Sequence, residues 1–186
     1  MNINKICDEV KKVLSEKRYN HSLGVMEKAG ELAQKYNVDI EKAKIVGLTH
    51  DIAKEMTPEE SYEYVEKNNI EIDDIERIQP HLLHGKIGAD ICAKKYGFNT
   101  QMQNAIIQHT TGNEKMDLFA KIIFIADKIE KNRTYDGVEE IRKIANLDID
   151  KAVLMCLDNS IIKTVKKNNI IHPDTINTRN ALLMNK

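Results

Sequence analysis

Six histidines stand at positions 21, 50, 81, 84, 109 and 172. Most fall inside apolar helical patterns rather than in loops. His50 shares a helical face with Ala43, Val46 and Ala53, so it should point inward, and Asp51 follows it directly. Asp127 closes the apolar run Ile122-Ile123-Phe124-Ile125-Ala126. A buried carboxylate is expensive unless it is paired or binds a metal. Each residue alone has a plain explanation: a satisfied core histidine, a chance His-Asp pair, or an Asp127 that caps a helix or pairs with Lys54 or Arg133. The ordered set is harder to dismiss. His21, His50-Asp51, His84, His109 and Asp127 each fall on a separate expected helix. Imidazole and carboxylate ligands without thiolate suit iron, manganese or zinc. His50 and Asp51 project about a hundred degrees apart on a helix and converge on an ion only if it lies beside that helix. His21 from a second helix and Asp127 from a third would complete the first metal set, with His84 and His109 near enough for a second ion. His81 follows Pro80 and precedes its helix, which sets it apart.

The elements that must position these groups are helical. Ile6, Val10, Val13 and Leu14 form one stripe, and Leu23, Met26, Ala29, Leu32 and Ala33 another. A third helix is expected over 39–54. Thr57-Pro58-Glu59-Glu60 reads as a capped helix start. Helices are expected over 84–96, stopping at Gly97, over 100–111, stopping at Gly112, and over 117–131, with two or three more across 137–184. No alternating strand or internal repeat is visible, and eight Gly and three Pro are too few for a turn-rich β fold. An all-α fold follows.

The 186 residues fit one domain, 1–186, with a core over about 18–135 and C-terminal helices over about 137–184 that complete the site. A composition of 41% hydrophobic and 31% charged residues is that of a globular chain. The formal charge of -1 argues against a dedicated nucleic-acid surface. Charge is uneven, however. Residues 58–78 carry eight acids against Lys67 and Arg77, and residues 151–186 are basic. Solvated helix faces explain both, and a basic segment bordering an anionic ligand explains the second more sharply. Cys7, Cys92 and Cys156 form no CxxC pair and read as reduced thiols. The N-terminus has no signal-peptide stretch, and the longest apolar run is far short of the roughly twenty residues needed to cross a bilayer. A cytoplasmic protein with no membrane partner is expected, as monomer or homodimer.

The local sequences carry more than the histidines. Arg18-Tyr19-Asn20-His21-Ser22-Leu23-Gly24-Val25, Thr49-His50-Asp51-Ile52-Ala53-Lys54, His84-Gly85-Lys86-Ile87-Gly88-Ala89, His109-Thr110-Thr111-Gly112 and Ala126-Asp127-Lys128-Ile129-Glu130 follow one another in order. They resemble the HD superfamily of metal-dependent phosphohydrolases and, within it, the bacterial YqeK-like group. The likeness continues through Arg133, His172-Pro173-Asp174-Thr175 and Thr178-Arg179-Asn180. Lys131 stands where that group leads one to expect Pro. The resemblance implies an HD-domain helical bundle, one or two iron ions, and symmetrical hydrolysis of diadenosine tetraphosphate to two ADP. It implies His21, His50, Asp51 and Asp127 as first metal ligands, with His84 and His109 binding a second metal or phosphate.

That chemistry needs a nucleophile at neutral pH and cover for phosphate charge, and a metal supplies both. The expected attack is by a metal-activated hydroxide on an inner phosphorus. Asp51 has two oxygens and can bridge two ions. Arg18, Lys54 and Arg133 flank the ligand motifs and would hold phosphate oxygens, although each could be a surface charge. Lys54, three residues after Asp51, would share its helical face. His84 or His109 would complete the second metal site or protonate the leaving group. Thr110 would contact phosphate or merely finish its helix. His172 would touch a nucleotide or merely open the last helix. The catalytic expectation is thus Asp51, Lys54, His84 and His109. Substrate or an ADP- or GDP-like product would meet Arg18, Asp51, Lys54, His84, His109, Thr110, Arg133 and His172. Three readings compete: another nucleotidase or nucleotide phosphodiesterase of the superfamily, a non-catalytic ADP- or GDP-binding regulator, and a helical interaction module that binds no metal.

Overall fold

The structure is a computed structural model and describes residues 3–184. Among these residues there are helices and turns and no strand. The middle of the bundle is α8 (Leu118–Ile129), in which Ile122 to Ile125 are fully buried. A helix apolar on every side belongs inside a core. Around it pack α2 (Glu16–Lys35), α3 (Ile40–Thr49), α7 (Thr100–Gln108) and α10 (Ile149–Lys166). α6 (His84–Tyr96) lies against α7. α1 (Ile3–Val13) closes one side, through Ile6 and Val10. α4 (Pro58–Lys67), α5 (Asp74–Ile78) and a 3-10 turn at Pro80–Leu82 form the acidic segment. α9 (Val138–Ala145) and α11 (Pro173–Met184) complete the C-terminal part, so 137–184 holds three helices.

Local chemistry sets the boundaries. Thr57 and Glu60 form the expected capping box at α4, and Asp73 and Glu76 form a second at α5. Gly97 adopts φ +69° after α6, where its N–H reaches back to the Ala93 carbonyl and the Phe98 N–H to that of Cys92. Asp117 caps α8 by accepting from the Ala120 N–H.

Three expectations need correction. Val13 is 54% exposed and leaves the stripe of α1. The helix expected to reach Thr111 stops at Gln108, leaving His109 as its cap. The third helix stops at Thr49, not at residue 54. Beyond it, Ile52 N–H bonds Thr49 O and Lys54 N–H bonds Asp51 O, three-residue spacings that tighten the chain into turns. His50 and Asp51 therefore ride on a helix end, and the same-face helical argument for Asp51 and Lys54 does not apply.

Candidate metal centre

Three of the histidines share one device. His50 Nδ1 donates to Gly47 O at 2.7 Å, His84 Nδ1 to His81 O at 2.7 Å, and His109 Nδ1 to Ile106 O at 2.6 Å. Each acceptor is the carbonyl three residues back. Committing Nδ1 as the donor leaves Nε2 as a bare lone pair, the form that binds metal. His21 reaches the same state differently, through a side chain: its Nδ1 lies 3.2 Å from Glu130 Oε1. His81 contributes its carbonyl, not its ring.

The four rings converge. Centroids lie 5.4 Å apart for His21 and His50, 4.9 Å for His50 and His109, and 4.9 Å for His84 and His109. The Nε2 atoms of His84 and His109 stand 3.1 Å apart. Two lone pairs at that distance repel unless a cation or proton lies between them. His50 Nε2 is buried and has no hydrogen-bond partner. A buried polar atom without a partner calls for an explanation, and a metal ligand is one.

Asp51 joins the two halves of the centre. Its Oδ2 lies 3.4 Å from His50 Nε2 and 3.9 Å from His21 Nε2. Its Oδ1 lies 3.3 Å from His84 Nε2 and 3.5 Å from His109 Nε2. Asp127 Oδ1 is 3.0 Å from His21 Nε2 and 3.8 Å from His50 Nε2. Two sets, His21-His50-Asp127 and His50-Asp51-His109, each bring their ligand atoms within 4.8 Å of one another. The residues present thus fit a divalent metal, and the two faces of Asp51 fit two cation positions.

The electrostatics agree. Burial works to raise Asp51, but the His50, His109 and His84 imidazoles outweigh it and hold the carboxyl well below the usual range. Burial opposes ionisation of Asp127 too, and Lys128, His21, His50 and Arg133 overcome it. Both carboxylates are ionised. Burial pushes His84 down to about 4 and lowers His109, which keeps both rings neutral. Burial also disfavours a charge on His50, yet Asp51 and Asp127 raise it. A place that favours a proton on His50 favours other cations.

Cations ring the centre. Arg18 Nη1 lies 2.9 Å from Asp51 Oδ2. Lys54 Nζ lies 3.3 Å from both ring nitrogens of His84, and its burial lowers its pKa. Arg133 holds Asp127 through Oδ1 at 2.6 Å and through its carbonyl at 2.8 Å. Lys128, given no role by the sequence reading, bonds Asp127 Oδ2 at 2.6 Å and the His109 carbonyl at 3.2 Å. Thr110 Oγ1 is 3.3 Å from His84 Nε2 and 3.2 Å from His109 Nε2. His172 stands apart from this group. Its Nε2 meets Asp73 Oδ2 at 2.9 Å and its Nδ1 accepts from Asp174 N–H at 3.2 Å, so both nitrogens are engaged at the start of α11. A cleft of about 690 Å³, walled by Arg18, His21, Glu130 and Arg133 among others, opens onto the centre.

The sequence reading missed Glu130. Its carboxylate is 1% exposed, orients His21 and accepts the Asn132 N–H at 2.7 Å. The signal was its place three residues after Asp127, a spacing that puts two acids on one side of an apolar helix.

A family model described as HD domain matches residues 18–132, which hold all six converging groups. The chain belongs to the HD family of phosphohydrolases. This HD chain is 40% identical, over 99% of its length and 98% of the other, to a Halalkalibacterium halodurans protein named bis(5'-nucleosyl)-tetraphosphatase, symmetrical. It is 36% identical, over 94% of both chains, to a Bacillus subtilis protein of the same name. A crystal structure of a Clostridium acetobutylicum protein, described as a predicted HD superfamily hydrolase involved in NAD metabolism, superposes with a TM-score of 0.96. That protein is 43% identical, with 100% of this chain and 99% of the other covered. Among the described residues of the HD chain, no helix is long and apolar enough to cross a membrane.

Proposed function

We propose that this HD hydrolase cleaves dinucleoside tetraphosphates symmetrically, diadenosine tetraphosphate giving two ADP, and that its metal is iron. The observation that carries the reading is the convergence of four oriented imidazoles on two ionised carboxylates, with Asp51 turned both ways between them. The named activity of the Halalkalibacterium halodurans and Bacillus subtilis relatives supports the substrate. When bound, the metal would polarise a phosphoryl oxygen and activate a water as nucleophile.

The chain's own groups would divide the remaining work. His21, His50, Asp51 and Asp127 would hold one ion, and the far oxygen of Asp51 with His84 and His109 would hold the other. Arg18 and Arg133 rest on the two carboxylates, within a side-chain swing of an arriving phosphate, and a guanidinium grips phosphate through two parallel N–H bonds. Lys54 sits against His84, where its ammonium would meet charge on the scissile bridge and pass a proton to the departing ADP. Its lowered pKa suits that transfer. The Thr110 hydroxyl faces both His84 and His109 and would bond a phosphoryl oxygen there.

Product analysis tests the reading. Protein loaded anaerobically with ferrous iron, and separately with manganese, is incubated with diadenosine tetraphosphate. ADP as sole product is expected. ATP plus AMP would refute symmetrical cleavage, and no product with either metal would refute the substrate.

A further inference from the structure

A second groove, which shares Arg133 with the cleft, lies between the last turns of α10 and the loop after α8. We propose that this groove receives one nucleoside diphosphate half of the substrate, so that the two halves lie in separate chambers. The proposal rests on the reading that the substrate is a dinucleoside polyphosphate.

Four observations carry it. The first is continuity: Lys128 and Arg133 line the groove, and between them they hold both oxygens of Asp127. The groove therefore ends on the metal centre.

The second is size. The cleft measures about 690 Å³ and the groove about 670 Å³, and Arg133 lines both. Two chambers of nearly equal volume that meet at Arg133 match a molecule with two identical halves. Each lies in the range of about 300–1,000 Å³ usual for small-molecule sites.

The third is charge. The groove presents Lys128, Arg133, Lys163, Lys166 and Lys167 against Asp136 alone. The cleft balances Lys17, Arg18 and Arg133 against Glu16, Glu55 and Glu130. Lys163, Lys166 and Lys167 are exposed and have no ion-pair partner among the described residues. Their spacing puts all three on one side of α10, where like charges repel. The helix C-terminus favours a cation there, but that does not account for three of them turned into one groove. An anionic ligand does.

The fourth is an aromatic wall. Tyr135 is 39% exposed at the groove, beside the Cys156 side chain. A base stacks on such a ring without regard to its identity. The phosphates would lie on the lysines and the base on Tyr135.

The test compares wild type, Lys163→Ala/Lys166→Ala, Tyr135→Leu and Tyr135→Phe. In steady state with diadenosine tetraphosphate, the double variant and Tyr135→Leu should each raise KM by about tenfold with kcat within about twofold of wild type. Tyr135→Phe should keep the wild-type KM. The double-variant effect should shrink as salt is added, because exposed charges are screened. Equilibrium dialysis with ADP should find two molecules per metal-loaded wild-type chain and one per double-variant chain. Unchanged KM in both variants, or a single ADP on wild type, overturns the proposal. If wild type makes no ADP from diadenosine tetraphosphate, the functional reading fails separately. The groove is then judged by ADP alone: a fall from two to one supports it, and no fall overturns it.

Discussion

Replacing Gly24 with Ala should disable the metal centre without touching a metal ligand. Gly24 lies in α2 beneath the Glu130 carboxylate. A methyl there would overlap Glu130 Oε2 and stand 3.0 Å from its Cδ. The carboxylate has no retreat, since Oε1 holds His21, Oε2 accepts the Asn132 N–H, and the residue is 1% exposed. Overpacking of this kind costs about 1–3 kcal/mol. Ala in place of Gly within a helix returns roughly 0.5–1 kcal/mol. The net loss of up to about 2.5 kcal/mol should lower Tm by up to roughly 10 °C in a chain of this size. The larger effect is on His21. Losing the partner that orients a metal-binding imidazole typically costs about 10–100-fold in metal affinity or activity. Gly30→Ala is the matched control. It makes the same change in the same helix, but its methyl meets only the flexible, half-exposed Lys44 side chain, at 2.9 Å from Cε and 3.0 Å from Cγ. Manganese titration, ADP release and thermal melting should show Gly24→Ala impaired in all three and Gly30→Ala near wild type. A Gly24→Ala protein with wild-type metal affinity and turnover would refute the role given to Glu130.

Other outcomes follow from the same geometry. Asp51→Asn removes the charge that faces both imidazole pairs, so ADP release should fall by about a hundredfold or more; wild-type turnover would show the centre misassigned. Manganese at about a hundred times its Kd should stabilise the chelated protein by about 2.7 kcal/mol, a rise in Tm of roughly 5–10 °C. No shift with manganese or ferrous iron would count against a preformed metal site. Burial pushes the Cys92 thiol up to about 12 and Cys156 up to about 11, so at pH 8 both are almost wholly protonated. Ellman's reagent should leave them unlabelled until denaturant is added, and rapid labelling of all three thiols in the native protein would contradict the packing described.

Helical periodicity and cap residues were enough to place most of the bundle. Asp117, Thr57, Gly97 and the apolar run of α8 each mark an end or a face by local chemistry. The end of α3 was not legible, because His50 through Ala53 continue its apolar pattern while the backbone has already turned. What ends that helix is a set of three-residue hydrogen bonds, which residue types do not announce. The candidate ligands were legible because His21, His50-Asp51, His84, His109 and Asp127, all with metal chemistry, recur in order on five expected elements. The partners that orient them were not. Three of those partners are backbone carbonyls, which every residue carries, and the fourth, Glu130, reads in sequence as one more charge at a helix end. Lys128 was hidden likewise, since a lysine beside an aspartate on a helix gives no hint that it spans to the His109 carbonyl.

The two ways of orienting imidazoles have a consequence for assembly of the protein. His50, His84 and His109 take their orientation from carbonyls three residues away, so each ring is set as soon as its own turn forms. His21 takes its orientation from Glu130, 109 residues further along the chain. That bond exists only after α2 has docked on the end of α8. A newly made chain therefore carries three rings ready to ligate before the fourth. All four imidazoles are oriented together only once the elements bearing His21 and Glu130 have packed, so ion capture by the candidate centre would follow that docking.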